Sequence, residues 1–217
     1  MIIDCRHGQL IQISYHPGSA PHRAFASNPA MVTDTSAINR RNHSLADDEE
    51  IWLFGYGSLI FKADFPYVER RCAHVRGWAR RFWQGSHDHR GTPEAPGRVV
   101  TLIAAPGRDC HGVAYRIRGA VFAHLDHREK NGYLRLHTSL HPAGGGTVAG
   151  LFYVADADNP AFLGPAPAAD IARQIAAARG PSGANLDYLL ELAAGLRALG
   201  TRDPHIEQLL AEVSAGA

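Results

Sequence analysis

The stretch Trp52-Leu-Phe-Gly-Tyr-Gly-Ser-Leu59 decides how the rest of this chain is interpreted. Its first half is a short apolar run that favours β-structure, and the run ends abruptly at Gly55 and Gly57. This pattern predicts a buried strand that leads into a glycine loop. Glycines at alternate positions let backbone N–H groups turn toward one point, where such a set of donors binds an anion such as a carboxylate. A tight turn after a core strand is the alternative that these eight residues leave open.

The composition is that of an ordinary globular protein. The chain has 217 residues, enough for one substantial core, and 45% of them are hydrophobic. The formal net charge of +1 argues against binding driven by nucleic acid. No apolar run approaches the ~18 residues of a membrane span, and the N-terminus lacks the pattern of a secretory signal. Three widely spaced cysteines build neither a disulfide framework nor a CxxC metal motif, so a reducing, cytoplasmic location is expected.

The first fifty residues differ from the remainder. Residues 16–41 mix Pro, Ser, Ala, Asn and Arg without a sustained period, and an acidic run at 47–50 closes the segment. We interpret residues 1–50 as a flexible extension or irregular arm. The compact domain, which carries the site, is expected over residues 51–217.

Strands dominate the first part of that domain, and helices dominate the last. Six strands are predicted from β-favouring runs between Gly/Pro-rich loops: Trp52–Tyr56, Val75–Trp83, Val99–Ala104, Gly112–Ile117, Leu134–Leu140 and Val148–Val154. Helices are predicted at Ala120–Arg128, from Pro165 to Gly180, at Leu186–Leu199 and at Ile206–Val213. Strands followed by helices favour an α+β fold whose antiparallel sheet is closed or strongly curled.

Charged and titratable side chains crowd the segment from His124 to Tyr133, near a predicted helix end. A solvated, salt-bridged helix terminus accounts for such a run. The alternative is that Glu129 acts as a single general base close to the glycine loop. Ser58 is not predicted to be a nucleophile, because Tyr56 and Ile60 stand where the G-x-S-x-G elbow requires glycine.

Four histidines, His87, His89, His124 and His127, are conceivable metal ligands. Their spacing lacks the pattern with which zinc sites gather three or four ligands. Neither a metal site nor a cofactor is therefore predicted.

Several stretches together resemble the ChaC family of γ-glutamylcyclotransferases, enzymes that act on glutathione. They occur in the family's order and cover roughly residues 51–200: Phe54–Ile60, Arg80–Ser86, Asp88–Gly91, Pro96–Leu102, Gly112–Tyr115, Leu125–Lys130, Leu163–Pro167 and Gly180–Gly183. The resemblance implies a small mixed β-barrel with flanking C-terminal helices, and release of 5-oxoproline and cysteinylglycine from glutathione. It also implies that Glu129 is the catalytic glutamate and that the substrate-binding loop consists of Gly55, Tyr56, Gly57, Ser58, Leu59 and Ile60.

The chemistry of cyclisation is consistent with one carboxylate and a binding loop. The α-amine of a γ-glutamyl group attacks its own γ-carbonyl, so the enzyme needs no nucleophilic side chain and gains several kcal/mol from orientation. Glu129 can take the proton from the amine and return it to the departing nitrogen, and burial that raises its pKa suits both steps. We expect the substrate's α-carboxylate on the N–H groups of residues 57–59. Tyr56 and Tyr133 are candidates for pocket walls, hydrogen-bond donors or simple packing.

The chain departs from the family's pattern at three places. The first is Asn131, which stands where glycine is usual. The second is the stretch between Tyr115 and His124, which is shorter and has Ala120 where glutamate is usual. The third is the N-terminal extension, which has no family counterpart. Two further functions stay open: a cyclotransferase for other γ-glutamyl compounds, and a non-catalytic γ-glutamyl-binding regulatory protein.

The pairs Arg80-Arg81 and Phe82-Trp83 either line the pocket or pack in the barrel. We expect the aromatic pair to pack, and we leave the role of the arginines open. The oligomeric state is likewise left open.

Overall fold

The structure is a computed structural model that describes residues 2–3, 10–11, 34–129 and 131–216. The strands are β1 (Ile2–Ile3), β2 (Leu10–Ile11), β3 (Glu50–Gly55), β4 (Glu69–Ser86), β5 (Gly97–Arg118), β6 (Leu134–Pro142), β7 (Val148–Val154), β8 (Arg179–Gly180) and β9 (Gly183–Ala184). The helices are α1 (Ser36–Asn42), α2 (Phe122–Arg128), α3 (Ala168–Ala177), α4 (Asn185–Ala198) and α5 (Pro204–Ala215), with 3₁₀ turns at Ser58–Ile60 and Gly119–Val121.

Five strands close into a barrel in the order β3-β5-β4-β6-β7. Neighbours pair antiparallel, except that β3 closes on β7 in parallel, with Trp52 opposite Gly150 and Leu53 opposite Leu151. The pairing of β3 with β7 closes the sheet, so none of the five strands is an unpaired outer strand. The prediction of an α+β fold with a small mixed barrel and C-terminal helices is confirmed.

The prediction of separate strands at Val99–Ala104 and Gly112–Ile117 is wrong, because both belong to β5. The long strand β4 runs beside β5 along most of its length, and their pairing shifts register between Arg76 and Trp78. Gly77 and Gly107 lie in this region, each with φ of 78°, a backbone conformation that glycine adopts readily. The ladder therefore bends at the Pro-Gly step of β5, where the sequence suggested that the strand ended.

The three predicted C-terminal helices are present as α3, α4 and α5, with shifted ends. The first begins at Ala168 and ends at Ala177, before Gly180, which pairs in the β8–β9 hairpin. The last begins earlier than predicted because the Asp203 carboxylate accepts hydrogen bonds from the N–H groups of His205 and Ile206. Among the described residues, no helix has the length and apolar character needed to cross a membrane.

Residues 34–49 differ from the expected flexible extension. Helix α1 lies against the domain, and its side chains Ser36 and Asn39 are buried. This segment shows no sustained hydrophobic period, because the buried face of α1 is polar and forms hydrogen bonds to the domain. Apart from the β1–β2 pair, the predicted flexibility of residues 1–33 lies outside the described residues.

Candidate active site

A cleft of about 430 Å³ opens where β3 runs into the glycine loop. Most of the predicted site residues line it: Gly55, Tyr56, Gly57, Ser58, Leu59, Glu129 and Tyr133. Ile60 does not line the cleft, which corrects its expected place in the substrate-binding surface. Its side chain is 6% exposed in the hydrophobic core and faces Gly195 of α4, so it anchors the loop from behind.

The loop needs both of its glycines for close packing. A Cβ atom at Gly55 would lie 2.6 Å from the Cβ of Leu59, and one at Gly57 would lie 2.9 Å from Val100 Cγ2. These distances leave no space for a side chain. The 3₁₀ turn that follows is closed by a 3.0 Å hydrogen bond from Ile60 N to Gly57 O. Within the described residues, the N–H groups at positions 57, 58 and 59 donate to no other group, so they are available to a bound anion.

Glu129 caps the C-terminal end of α2, and its N–H donates to Leu125 O at 2.8 Å. Its side chain is 19% exposed, in the wall of the cleft. Burial raises the pKa of Glu129 above its ordinary value, the neighbouring Arg128 opposes that shift, and Asp64 and Asp88 add to it. The result is a carboxylate with an increased affinity for a proton, facing the glycine loop across the cleft.

Arg128 is the site residue that the sequence reasoning missed. Its Nη2 donates to Ser58 Oγ at 2.8 Å, its Nη1 donates to Asp64, and its Nε lies 3.6 Å from Glu129 Oε1. One guanidinium therefore connects the loop to the carboxylate. The only signal in the sequence was its position next to Glu129, and a solvated helix terminus explained that equally well.

The two predicted tyrosines use their hydroxyl hydrogens inside the protein. Tyr56 Oη donates to Tyr153 O at 2.7 Å, and Tyr133 Oη donates to Val100 O at 3.0 Å. Burial raises the pKa of both phenols well above their ordinary value, so both stay neutral. A neutral hydroxyl that already donates can still accept hydrogen bonds through its oxygen. Toward a ligand these tyrosines are therefore acceptors, a role that differs from the walls, donors or packing residues considered from the sequence.

The turn after Glu129 explains the departure at Asn131. The Asn131 side chain donates to Asp88, and its carbonyl accepts from Asn159 Nδ2 at 3.1 Å. The left-handed position of this turn is Gly132, with φ of 84°, so asparagine at 131 meets no backbone penalty. Ala120 lies exposed in the second 3₁₀ turn, where its N–H donates to Asp47 O at 3.0 Å.

Three of the four candidate histidines, His89, His124 and His127, line the cleft. His89 lies 3.5 Å from Asp88, and His124 lies 3.7 Å from Asp64, so each pairs separately with a carboxylate. Across the described part of the chain, no group of three or more His, Cys, Asp or Glu side chains is arranged to hold a metal ion.

Arg80 supports the loop from beneath the cleft. It is 1% exposed, its Nε donates to Tyr56 O at 2.6 Å, and its Nη1 pairs with Asp203 at 2.8 Å. The expectation that the aromatic pair packs is confirmed, since Phe82 is fully buried and Trp83 packs against Phe162.

Comparison with known proteins places this chain among enzymes of glutathione metabolism. A family model described as ChaC-like protein matches residues 51–216. The chain is 44% identical over 175 residues to Gamma-glutamylcyclotransferase 2-3 of Arabidopsis thaliana, and this alignment covers 75% of this chain and 88% of that protein. It is 42% identical over 179 residues to Glutathione-specific gamma-glutamylcyclotransferase 1 of Rattus norvegicus, and this alignment covers 78% of this chain and 81% of that protein.

A solved structure shares the fold over most of the chain. The selenomethionine-labelled γ-glutamyl cyclotransferase from yeast, specific to glutathione, matches with a TM-score of 0.71 and 32% identity. The match covers 76% of this chain and 96% of the yeast chain.

Proposed function

Since this chain belongs to the ChaC-like protein family, we propose that it is a γ-glutamylcyclotransferase that converts glutathione to 5-oxoproline and cysteinylglycine. The observation that carries the proposal is the cleft itself. One carboxylate with a raised pKa, Glu129, faces a glycine loop whose N–H groups lack partners among the described residues. Relatives with 42% identity over most of the chain are named for this activity.

The proposed reaction is an intramolecular exchange of one amide for another. The α-amine nitrogen of the γ-glutamyl group bonds to the γ-carbonyl carbon, and the bond from that carbon to the cysteine nitrogen breaks. The α-ammonium loses two protons as it becomes the N–H of the ring, and the departing nitrogen gains two as it becomes the ammonium of cysteinylglycine. Glu129 accepts protons from the attacking nitrogen and gives them to the departing nitrogen. No electrons are transferred overall, so the reaction requires no redox cofactor.

The proposed binding mode fixes the γ-glutamyl end in the ring-closing conformation. The N–H groups of residues 57–59 hold the α-carboxylate, and the hydroxyl oxygens of Tyr56 and Tyr133 accept hydrogen bonds from the α-ammonium. Both roles are supported by the hydroxyl oxygens, which donate within the protein and can accept from a ligand, and by the available loop donors. Because the cleft holds the substrate in this conformation, the entropic cost of orienting the amine toward the γ-carbonyl is met on binding rather than in the chemical step.

The cysteinylglycine end of glutathione carries a second carboxylate. Two cations besides Arg128, Lys62 and Arg90, line the same cleft. The Arg90 side chain is held by the carbonyl of Ala184 at 3.0 Å and lies 5.6 Å from the centre of the Tyr188 ring. We propose that this cationic wall receives the glycine carboxylate.

The test measures release of 5-oxoproline from glutathione, glutathione disulfide and γ-glutamyl-alanine. General base catalysis contributes on the order of 10²- to 10⁴-fold, so Glu129→Gln is expected to lower kcat on glutathione by that factor. Glu94→Gln changes an exposed glutamate outside the cleft and is expected to retain activity.

Each alternative predicts a different result. Undiminished turnover by Glu129→Gln would contradict the proposed mechanism. Turnover of γ-glutamyl-alanine but not of glutathione would change the substrate, and binding without turnover would favour a regulatory role. Activity lost to a chelator and restored by zinc would contradict a reaction carried out by side chains alone.

The proposed setting is the reducing cytoplasm. Within the part of the chain that the structure describes, Cys72 and Cys110 are free thiols, and Cys72 is exposed. A reducing compartment keeps such thiols free and also contains glutathione mainly in its thiol form. Fractionation of the source cells with activity measurements on each fraction tests this location.

A further inference from the structure

We infer that helix α1, which precedes the segment matched by the family model, positions the catalytic segment, and that Asn39 is the residue that does so. This inference rests on the proposed function of Glu129. Asn39 does not itself line the cleft, so it acts through the backbone that carries Glu129 and Tyr133.

The Asn39 side chain binds the chain just after Glu129. Its Nδ2 donates to Tyr133 O at 3.0 Å, and its Oδ1 accepts from Arg135 N at 2.8 Å. Thr35 Oγ1 donates to the same Tyr133 carbonyl at 2.8 Å. Asn39 is 1% exposed, so water cannot readily replace either of its hydrogen bonds.

Further contacts from α1 and its flanks reach both sides of Glu129. Ser36 Oγ donates to Asp126 O at 3.2 Å, three residues before Glu129. Asp34 forms an isolated antiparallel bridge with Asn131, two residues after it. His43 Nε2 lies 3.1 Å from Arg135 O. Residues 34–43 therefore hold the segment that carries Glu129 at several points, on both sides of that residue.

The topology of the barrel explains why this support is needed. Strand β6 pairs with β7 along Leu134–Leu140, but with β4 only along Leu140–Pro142. The first half of β6 therefore lacks a β4 partner on its other edge, where backbone groups would remain unsatisfied. The amide of Asn39 supplies one donor and one acceptor to that edge, which are the groups that a neighbouring strand would supply.

A shift of this edge moves the reactive groups. Tyr133 lies on the bound segment, and its N–H donates to Glu129 O at 3.3 Å, so displacement at Tyr133 is transmitted to Glu129. A misplacement of about 1 Å in an active site can lower the rate about 100-fold. We therefore expect loss of the Asn39 contacts to act more on kcat than on KM, because the glycine loop and the cations Lys62 and Arg90 lie outside the displaced segment.

The experiment compares Asn39→Ala with Asn42→Ala, a change of the same residue type at an exposed position of the same helix. For Asn39→Ala we expect kcat on glutathione to fall about 10- to 100-fold while KM changes less than about threefold. The acid limb of the kcat/KM profile also moves, because the surroundings of Glu129 change. Asn42→Ala is expected to match the wild type in all three quantities.

A purely structural role gives a different result. In that case Asn39→Ala lowers the thermal midpoint, but the folded enzyme keeps the kcat and pH profile of the wild type, and this outcome would overturn the inference. If Asn39→Ala does not fold, Thr35→Val is the second variant, with Thr35→Ser as its hydroxyl-retaining partner. Lower kcat in the valine variant and recovery in the serine variant support positioning, and equal kcat in both opposes it.

Hydrogen exchange of the Arg135 amide gives a readout that does not depend on turnover. Faster exchange at Arg135 in Asn39→Ala, with unchanged exchange in the distant helix α5, supports the local contact. Unchanged exchange at Arg135 would overturn it. A wild-type protein that releases no 5-oxoproline would refute the proposed function instead, and the exchange result would still decide whether α1 holds this segment.

Discussion

Replacement of Arg128 separates the charge of this residue from its geometry. Its guanidinium uses three different nitrogens for Ser58, Asp64 and Glu129. In Arg128→Gln both the charge and the fork of donors are lost. In Arg128→Lys the charge remains, but a single ammonium group cannot reproduce the fork. Arg128→Gln and Arg128→Lys are therefore expected to differ in the pH dependence of kcat/KM, although both lose the contact with the loop.

The size of the effect follows from the contact with the loop. The hydrogen bond from Arg128 Nη2 to Ser58 Oγ is 2.8 Å long, and the Arg128 side chain is only 17% exposed. A hydrogen bond to a charged group contributes about 1.5–3 kcal/mol, which corresponds to about 10- to 100-fold in kcat/KM if the loop is correctly ordered only in its presence. We expect both variants to lose kcat/KM within that range.

The pH dependence distinguishes the two variants. Arg128 opposes the burial that raises the pKa of Glu129, so removal of its charge raises that pKa further. In Arg128→Gln the carboxylate is then protonated at a higher pH, and the acid limb of the kcat/KM profile moves upward in pH. In Arg128→Lys the acid limb stays near its wild-type position, because a cation remains.

The assay is the rate of 5-oxoproline release from glutathione as a function of substrate concentration and pH. Arg173→Gln serves as the control, because the Arg173 side chain is 74% exposed on α3 and does not line the cleft. Wild-type kcat/KM in Arg128→Gln would refute the idea that this residue couples loop and carboxylate. A shift of the acid limb in Arg128→Lys as large as in Arg128→Gln would refute the separation of charge from geometry.

Two further predictions concern the loop and the fold. Gly57→Ala brings a Cβ to 2.9 Å from Val100 Cγ2, so the loop must move. We expect a higher KM for glutathione and a loss of about 1–3 kcal/mol in unfolding free energy, which urea titration measures. Burial lowers the pKa of His205 to about 4, and its Nε2 accepts from Phe82 N at 3.1 Å. In the unfolded chain His205 binds a proton at about pH 6.5, whereas in the folded protein it binds one only at about pH 4. The free energy of unfolding therefore decreases as the pH falls from 6.5 to 4. His205→Gln removes this titrating side chain, so the unfolding free energy of the variant should depend less on pH between 6.5 and 4. The same dependence of unfolding free energy on pH in both proteins would contradict a role of His205.

Local patterns in the sequence were sufficient for the elements and for part of the site. The apolar run that ends at Gly55 and Gly57, and the helical periods of α4 and α5, depend on neighbours within a few residues. Such patterns predicted most strands and the C-terminal helices correctly. The neighbourhood of Glu129 in the sequence left a general base and a solvated helix end both open, and the family resemblance favoured the general base.

Only the tertiary structure decided the remaining features, because they depend on residues far apart in the chain. Ser58 and Arg128 are 70 positions apart, and Asn39 and Tyr133 are 94 apart. The Pro-Gly step of β5 resembles a turn locally, yet the strand continues because β4 pairs on both sides of it. Ile60 belongs to the glycine loop by sequence but faces α4, since the 3₁₀ turn rotates it away from the cleft. The sequence thus determined which residues can do the chemistry, and the long-range contacts of the fold decided which of them meet.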